Sequence, residues 1–373
     1  MALFRCDIYN KTRDWQYPLG AFVKVEGTKR FDNISNFDIT VKATHQRLDK
    51  LLAPGTRLKL SLRNETFIEG PITEHTGEGP GVSGTFTFSC EDNFRILRNF
   101  LVYQKPGETM ANQSMAYSYD QTGPAETVFK DIVELNIGDR GYEPIIIATD
   151  LGRGDVIHSS ARMATIYNEM FPLLESMGLG ATVTATPAGL VVDVYIPGVY
   201  PNKLTERSRV IRKWKYNLKA PEVTAVVVGG QGEGTARTFI RASDPTREDL
   251  WGDRIEVFRD ARDAALLATY NERAAETLFD GRGSANITVN LAEAGNFRLG
   301  GPGGLKVGQQ VTAAVADGRV EVTDILREVD FSWTVEDGLD IKAQIGQSLE
   351  PTASIVNAIT RLSGSVSKLK ASQ

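Results

Sequence analysis

Catalysis needs partners at particular spacings, and few of the reactive residues in this chain have them. The histidines are His45, His75 and His158. Each stands alone, with no second ligand at the i, i+3 or i, i+4 spacing that would turn two imidazoles to one helix face for zinc. Cys6 and Cys90 are the only cysteines. They are too few and too far apart for a thiolate metal site or a disulfide framework, and their strand-like surroundings read as buried free thiols. No G-x-S-x-G elbow exposes a serine on a strained turn, and Ser365-x-x-Lys368 lacks the strand and pocket that would make its lysine a base. The carboxylate pairs Glu91-Asp92 and Glu336-Asp337 are adjacent, so on a strand their side chains diverge and cannot converge on a glycosidic bond. No catalytic, cofactor or metal site is expected.

Two segments have the chemistry of contact. The glycine-rich stretch Gly229 to Gly234 follows an apolar strand and could cradle phosphate, but it lacks Gly-Lys-Ser/Thr and leads into the strand-like TARTFIRAS. A loop between strands is the better reading, as a tight turn is for Arg153-Gly154-Asp155. The second segment is basic: Lys203, Arg207, Arg209, Arg212, Lys213, Lys215 and Lys219, interleaved with Trp214 and Tyr216. Arg209, Arg212, Lys213 and Lys215 could meet a nucleic-acid backbone or a protein interface. The plainer reading is an edge or linker strand that lysine and arginine keep from pairing indiscriminately.

The elements around these segments are mostly strands. With 373 residues the chain exceeds the size of one core, and two to four domains are expected. Its 42 basic and 47 acidic residues leave a net charge of −5, so any nucleic-acid contact must be local. No signal-peptide pattern opens the sequence and no long apolar run occurs, so synthesis in a cytoplasm without a membrane anchor is expected.

One strand pattern occurs twice. Pro54 to Thr76 and Val307 to Val329 each place a glycine before an alternating strand, a polar turn, and a returning alternating strand. Aligned without a gap, Gly55 falls on Gly308, Leu58 on Val311, Leu62 on Val315, Asn64 on Asp317, Phe67 on Val320 and Ile72 on Ile325. Duplication of a β-domain follows.

The predicted layout is mainly β with α+β insertions. A first tube-like barrel or sandwich covers 1–103, and an inserted α+β domain with two helices and a hairpin covers 104–202. A second β-domain covers 203–350, with a helical insertion at about 262–280. In the inserted domain one helix starts near Pro124, with Val128, Ile132 and Leu135 on its apolar face. The other begins at Ser159 or Ser160, with Met163, Ile166, Tyr167 and Met170 inward and Pro172 bending it. A last segment, 351–373, spaces Ile355, Ile359, Leu362, Val366 and Leu369 by four, three, four and three, the seam of a short coiled coil that Ile permits to be trimeric.

This layout, with SSARMATIYNEMFPLLESMGLGATVTATPAGLVVDVYIP from Ser159, VVVGGQGEGTARTF from Val226 and VEVTDILREVDFSWTVEDGLDIKAQIG from Val320, resembles a known family. It is similar to the minor tail proteins that form the tail-tip hub of long non-contractile-tailed bacteriophages, especially those of actinobacterial hosts. The resemblance implies a virion protein and a homotrimer whose six tube-like domains surround a channel, matching a sixfold tube to a threefold tip. It implies a distal tail protein, a tape-measure protein and downstream tip or fibre proteins as neighbours, with viral DNA passing through during ejection. It carries no catalytic motif. Two alternatives stand beside it: a carbohydrate-binding tail module using aromatics such as Trp214 or Trp251, and a tail-associated cell-wall hydrolase, which the missing metal and nucleophile signatures disfavour.

Overall fold

The computed structural model describes residues 3–114, 118–141, 143–262, 267–295 and 297–346. The chain is mainly β, with α+β insertions. It begins with seven strands: β1 (Phe4–Tyr9), β2 (Trp15–Leu19), β3 (Lys24–Arg30), β4 (Asn36–Lys42), β5 (Arg57–Leu62), β6 (Glu65–Glu78) and β7 (Thr85–Glu91). They pair antiparallel in the order β3-β4-β7-β6-β5-β1-β2. Strict alternation drives this half. Phe37, Ile39 and Val41 of β4 are buried while Asp38 and Thr40 face outward, and Phe88 and Cys90 of β7 join them inside.

The chain then leaves the sheet. Strands β8 (Tyr119–Pro124), β9 (Ile145–Ile147), β10 (Val156–Ala161), β11 (Gly180–Thr186) and β12 (Gly189–Tyr195) build two small sheets. They enclose the helices Ala125–Val133 and Ile166–Ser176 around a separate core of Phe129, Ile132, Met170, Leu174, Val192 and their neighbours. The first helix carries Val128 and Ile132 inward, but a π-turn at Glu134–Gly138 shifts the face, so that Ile137 is buried and Leu135 only half so. The second starts later than its sequence suggests. Ser159 and Ser160 lie in β10, paired with β8, and Met163 is in the left-handed region at φ 52°. Thr165 is the cap, its hydroxyl accepting from the Asn168 amide at 3.2 Å, and the helix runs through Pro172 to Ser176.

The return to the large sheet brings β13 (Leu204–Thr205) and β14 (Ile211–Lys219). Next come β15 (Ala225–Gly229), β16 (Phe239–Ser243) and β17 (Glu256–Asp260), then β18 (Ser284–Leu291), β19 (Gln310–Val315), β20 (Val320–Thr334) and β21 (Gly338–Gly346). The sequence assigns β15, β16 and β17 to the second β-domain with one helix inserted at 262–280. Instead they form their own mixed sheet, β16-β15-β17, covered by the helix Leu267–Asp280. That insertion runs from 220 to 283 and has its own core of Val226, Val228, Ala261, Tyr270 and Ala274. Alternation within a strand says which face is buried and nothing about which sheet the strand joins. The sequence spacing places Leu266, Leu267, Tyr270 and Ala274 on one apolar face of the covering helix; Tyr270 and Ala274 are buried, Leu267 is 60% exposed, and Leu266 lies outside the described residues.

Once the insertion is set aside, the second half repeats the first. Its order β14-β18-β21-β20-β19 matches β3-β4-β7-β6-β5, antiparallel throughout. Phe37, Ile39 and Val41 correspond to Ile287, Val289 and Leu291, all buried. Gly55 and Gly308, at φ 81° and 88°, lead into β5 and β19. The β-bulge at Ile72/Glu74 against β7 recurs at Leu326/Glu328 against β21. The Ile72 amide donates to the Thr56 carbonyl at 2.9 Å, as the Leu326 amide does to Gln309 at 2.8 Å. Ile72 therefore corresponds to Leu326, and the gap-free match to Ile325 is one residue out. The turns explain the slip. Arg63-Asn64 closes Leu62 on Glu65 with a bulge just behind it, whereas Ala316 to Arg319 make a longer turn between Val315 and Val320.

The two halves are one sheet. β3 of the first pairs antiparallel with the C-terminal part of β20 of the second, Lys24 opposite Thr334 through Arg30 opposite Glu328. A single apolar core runs beneath both.

Candidate functional site

The groups that could do chemistry stay apart. The His45 Nε2 lies 2.8 Å from the Gly20 carbonyl, the His75 ring packs 5.8 Å from Phe88, and the His158 Nδ1 lies 2.9 Å from the Thr122 hydroxyl. No cluster of His, Cys, Asp and Glu able to hold a metal occurs among the described residues. Cys6 and Cys90 are buried free thiols whose pKa burial pushes up, so neither is poised as a nucleophile. The glycine stretch 229–234 joins β15 to β16, its Gln231 amide donating to the Tyr270 hydroxyl at 3.1 Å. Only a single 3-10 turn, Gly234–Ala236, follows before β16, with an acidic residue, Glu233, at its start, which disfavours phosphate. An open depression lined by Arg30, Asn33, Asn36, Asp38 and Glu91 is shallow and polar, unlike the concave apolar pockets that hold small ligands.

What the fold does assemble is contact surface. Arg209 sits in the left-handed region at φ 60° in the turn before β14, and Arg212, Lys213 and Lys215 lie on β14 itself, all exposed. β14 is the terminal strand of the sheet and pairs only with β18 among the described residues. Period-two geometry puts Lys213, Lys215, Asn217 and Lys219 on one face. Trp214, Tyr216 and Leu218 take the other, with Trp214 opposite Val289 and Tyr216 opposite Ile287.

The joint between β3 and β20 is the built counterpart of such an edge. On its polar face the Arg30 Nε donates to Glu328 at 3.0 Å and the Thr28 hydroxyl to Asp330 at 2.8 Å. On its apolar face Phe331 stacks against Phe4 at 5.7 Å and meets Phe67 edge-on at 5.1 Å, while Trp333 meets Phe22 at 5.5 Å. Aromatics of the second half are thus seated in the core of the first.

The family model described as Siphovirus ReqiPepy6 Gp37-like protein matches residues 5–347. The chain belongs to that family. Among solved structures it resembles the 43 kDa tail protein of prophage MuSo2 from Shewanella oneidensis, with 12% identity, a TM-score of 0.61, and 91% of this chain and 98% of that one covered. The tail protein from Neisseria meningitidis MC58 gives 13% identity and a TM-score of 0.59 over 93% and 97% of the two chains. Prophage tail protein gp18 from Listeria monocytogenes EGD-e gives 11% and 0.56 over 96% and 98%. No match to a curated protein sequence is found. The family is one of siphovirus proteins, and the fold is shared with bacteriophage tail proteins.

In this Gp37-like protein the seam residues Ile355, Ile359, Leu362, Val366 and Leu369 lie outside the described residues. No described helix is long and apolar enough to cross a membrane. A polar feature that the sequence did not signal is a buried charge network in the first insertion. The Lys130 Nζ donates to Glu126 at 2.7 Å, to the Thr149 carbonyl at 2.9 Å and to Asp193 at 3.0 Å, and Arg153 binds the same Glu126 through its amide at 2.9 Å. Glu126 and Lys130 have almost no exposed surface. Their i, i+4 spacing is visible in the sequence, but an exposed helix pair has the same spacing. The network fixes the Arg153-Gly154-Asp155 turn, at Gly154 φ 83°, to the helix.

Proposed function

We propose that this protein is the structural hub of the tail tip. Three copies end the tail tube, match its sixfold symmetry to a threefold tip, anchor tip or receptor-binding proteins and gate genome passage. The observation that carries this is the repeat itself: two topologically equivalent β-units joined edge to edge in one sheet. Three such chains present six similar units, so a threefold assembly can meet a sixfold tube without a change of contact type. The proposed division keeps β-units at 1–103 and 203–350, an α+β insertion at 104–202 and an association segment at 351–373. The insertion in the second unit is widened to 220–283.

The role is mechanical and needs no covalent step, in keeping with the dispersed histidines and inert thiols. Its neighbours in this reading are the distal tail protein, the tape-measure protein and downstream tip or fibre proteins, with viral DNA in transit. Light scattering on the full chain tests it. A mass near three times 40.9 kDa supports the trimer, and a monomer that also fails to join purified tail-tube ends overturns the hub.

A further inference from the structure

The duplication leaves two strand edges open that are equivalent to the pair already joined. Within the chain, β3 is joined to the outer part of β20. The equivalent of β3 is β14, and the equivalent of the outer part of β20 is the end of β6, from Glu74 onward. β14 has no partner on its outer side among the described residues, and from Glu74 to Glu78 β6 pairs only with β7. Every residue from Thr73 to Pro80 is exposed, as is nearly all of β14. In one chain the two edges belong to different units, at opposite ends of the fused pair.

We propose that β14 of one copy pairs antiparallel with the end of β6 of the next, reproducing between chains the joint that β3 and β20 make within one. This rests on the hub reading and specifies its interface. The register follows from the two bulges and the shared strand order. Arg30 opposite Glu328 becomes Lys219 opposite Glu74, and Thr28 opposite Asp330 becomes Asn217 opposite Thr76. Gly27 opposite Phe331 becomes Tyr216 opposite Gly77, and Glu26 opposite Ser332 becomes Lys215 opposite Glu78.

Two independent complementarities support that register. On the polar face the cations of one edge meet the carboxylates of the other: Lys219 and Lys215 against Glu74 and Glu78. Only the Lys219 contact competes, an exposed ion pair with Glu222 at 2.5 Å. On the other face Tyr216 stands opposite Gly77, with aromatic and glycine exchanged relative to Phe331 against Gly27, and Leu218 stands opposite His75. Leu218 at 54% and Trp214 at 41% exposure would be covered. The contact joins different surfaces of the two copies, so it continues from chain to chain and closes only as a ring. It also removes the open edges, which the basic residues of β14 otherwise protect from indiscriminate pairing.

Cysteine cross-linking of the full chain tests this. Opposite residues of an antiparallel pair lie about 4.5–5.5 Å apart at Cα, within disulfide reach. The double variant Asn217→Cys with Thr76→Cys is expected to cross-link between copies under mild oxidation, and each single variant is not. Lys215→Glu with Lys219→Glu in that background should lower the cross-linked fraction about tenfold, and adding Glu74→Lys with Glu78→Lys should restore it. A trimer by light scattering that gives no cross-link overturns the pairing and leaves the hub standing. Cross-links that run on as a ladder beyond three chains support the pairing and overturn the trimer. A monomer without cross-links overturns both, and cross-linking by a single variant overturns the register.

Discussion

Asp32 is one of several carboxyls whose ionisation the fold resists. At φ 48° it points its carboxyl under the β11–β12 hairpin, where Oδ1 accepts the Ala181 amide at 2.8 Å and Oδ2 is buried without a hydrogen-bond partner. Burial, with a small push from Glu175 against the pull of Arg327, raises its pKa from 3.8 to about 8. Between those values the unfolded chain has lost the proton that the native chain keeps, so stability falls as pH rises from 4 to 8, by at most about 1.4 kcal/mol per pH unit. Asp32→Asn keeps the acceptor and tolerates the left-handed backbone. Urea unfolding at pH 5 and pH 8 should find the slope flattened and the variant more stable than the native chain at pH 8. In the charge network of the first insertion, removing a charge is costly instead. Lys130→Met leaves Glu126 buried with Arg153 as its remaining cation, and should cost about 3 kcal/mol of that unit's stability. Adding Glu126→Gln should recover part of the loss, read in the same unfolding experiment.

At the scale of elements, the joint between β3 and β20 decides whether the halves act as one body. Phe331 is its anchor, 3% exposed and in contact with two rings of the other half. Phe331→Ala should cost about 3–5 kcal/mol, and amide exchange should accelerate in β3 and the outer part of β20 before it does in β4 or β7. Much of the local structure here is legible in the sequence. The alternation of FDITVK and SANITVNL marks β4 and β18, and the glycines at 55 and 308 mark the start of each hairpin. Hidden from it are the features set by distant pairing. Ser159 and Ser160 are good caps by residue type, yet β8 claims them for a strand, and Thr165 caps the helix. The basic run from Arg209 to Lys215 is visible as charge. Its place at a free sheet edge depends on β18, roughly 70 residues later, and on the repeat of β3, neither of which a local pattern contains.

For the whole molecule, the C-terminal segment and the sheet edges are separate candidates for holding copies together. A chain ending before Pro351 removes the seam from Ile355 to Leu369 and leaves both edges in place. If the edges govern assembly, its mass by light scattering stays near that of the full-length oligomer, whereas a fall to monomer assigns the work to the seam. The two insertions meet each other away from the joint: Glu272 accepts the His158 amide at 2.7 Å, and Arg282 lies 3.5 Å from Glu175. They form a second layer of contact between the halves, one that does not involve the shared sheet.

The connection between the first two strands of each repeat is unequal. In the first unit β3 turns into β4 through Phe31 to Ser35, whereas in the second the same corner holds residues 220 to 283, with their own sheet, helices and core. A strand corner that accommodates a self-contained module while its flanking register stays intact is a natural grafting site. Replacing 220–283 by a short turn copied from Phe31 to Ser35 should leave a chain whose β14 and β18 still pair, detectable as slow amide exchange retained in both strands. Foreign modules of similar size, with closely spaced ends, could then be displayed there, giving the particle new surface specificity without redesign of its frame.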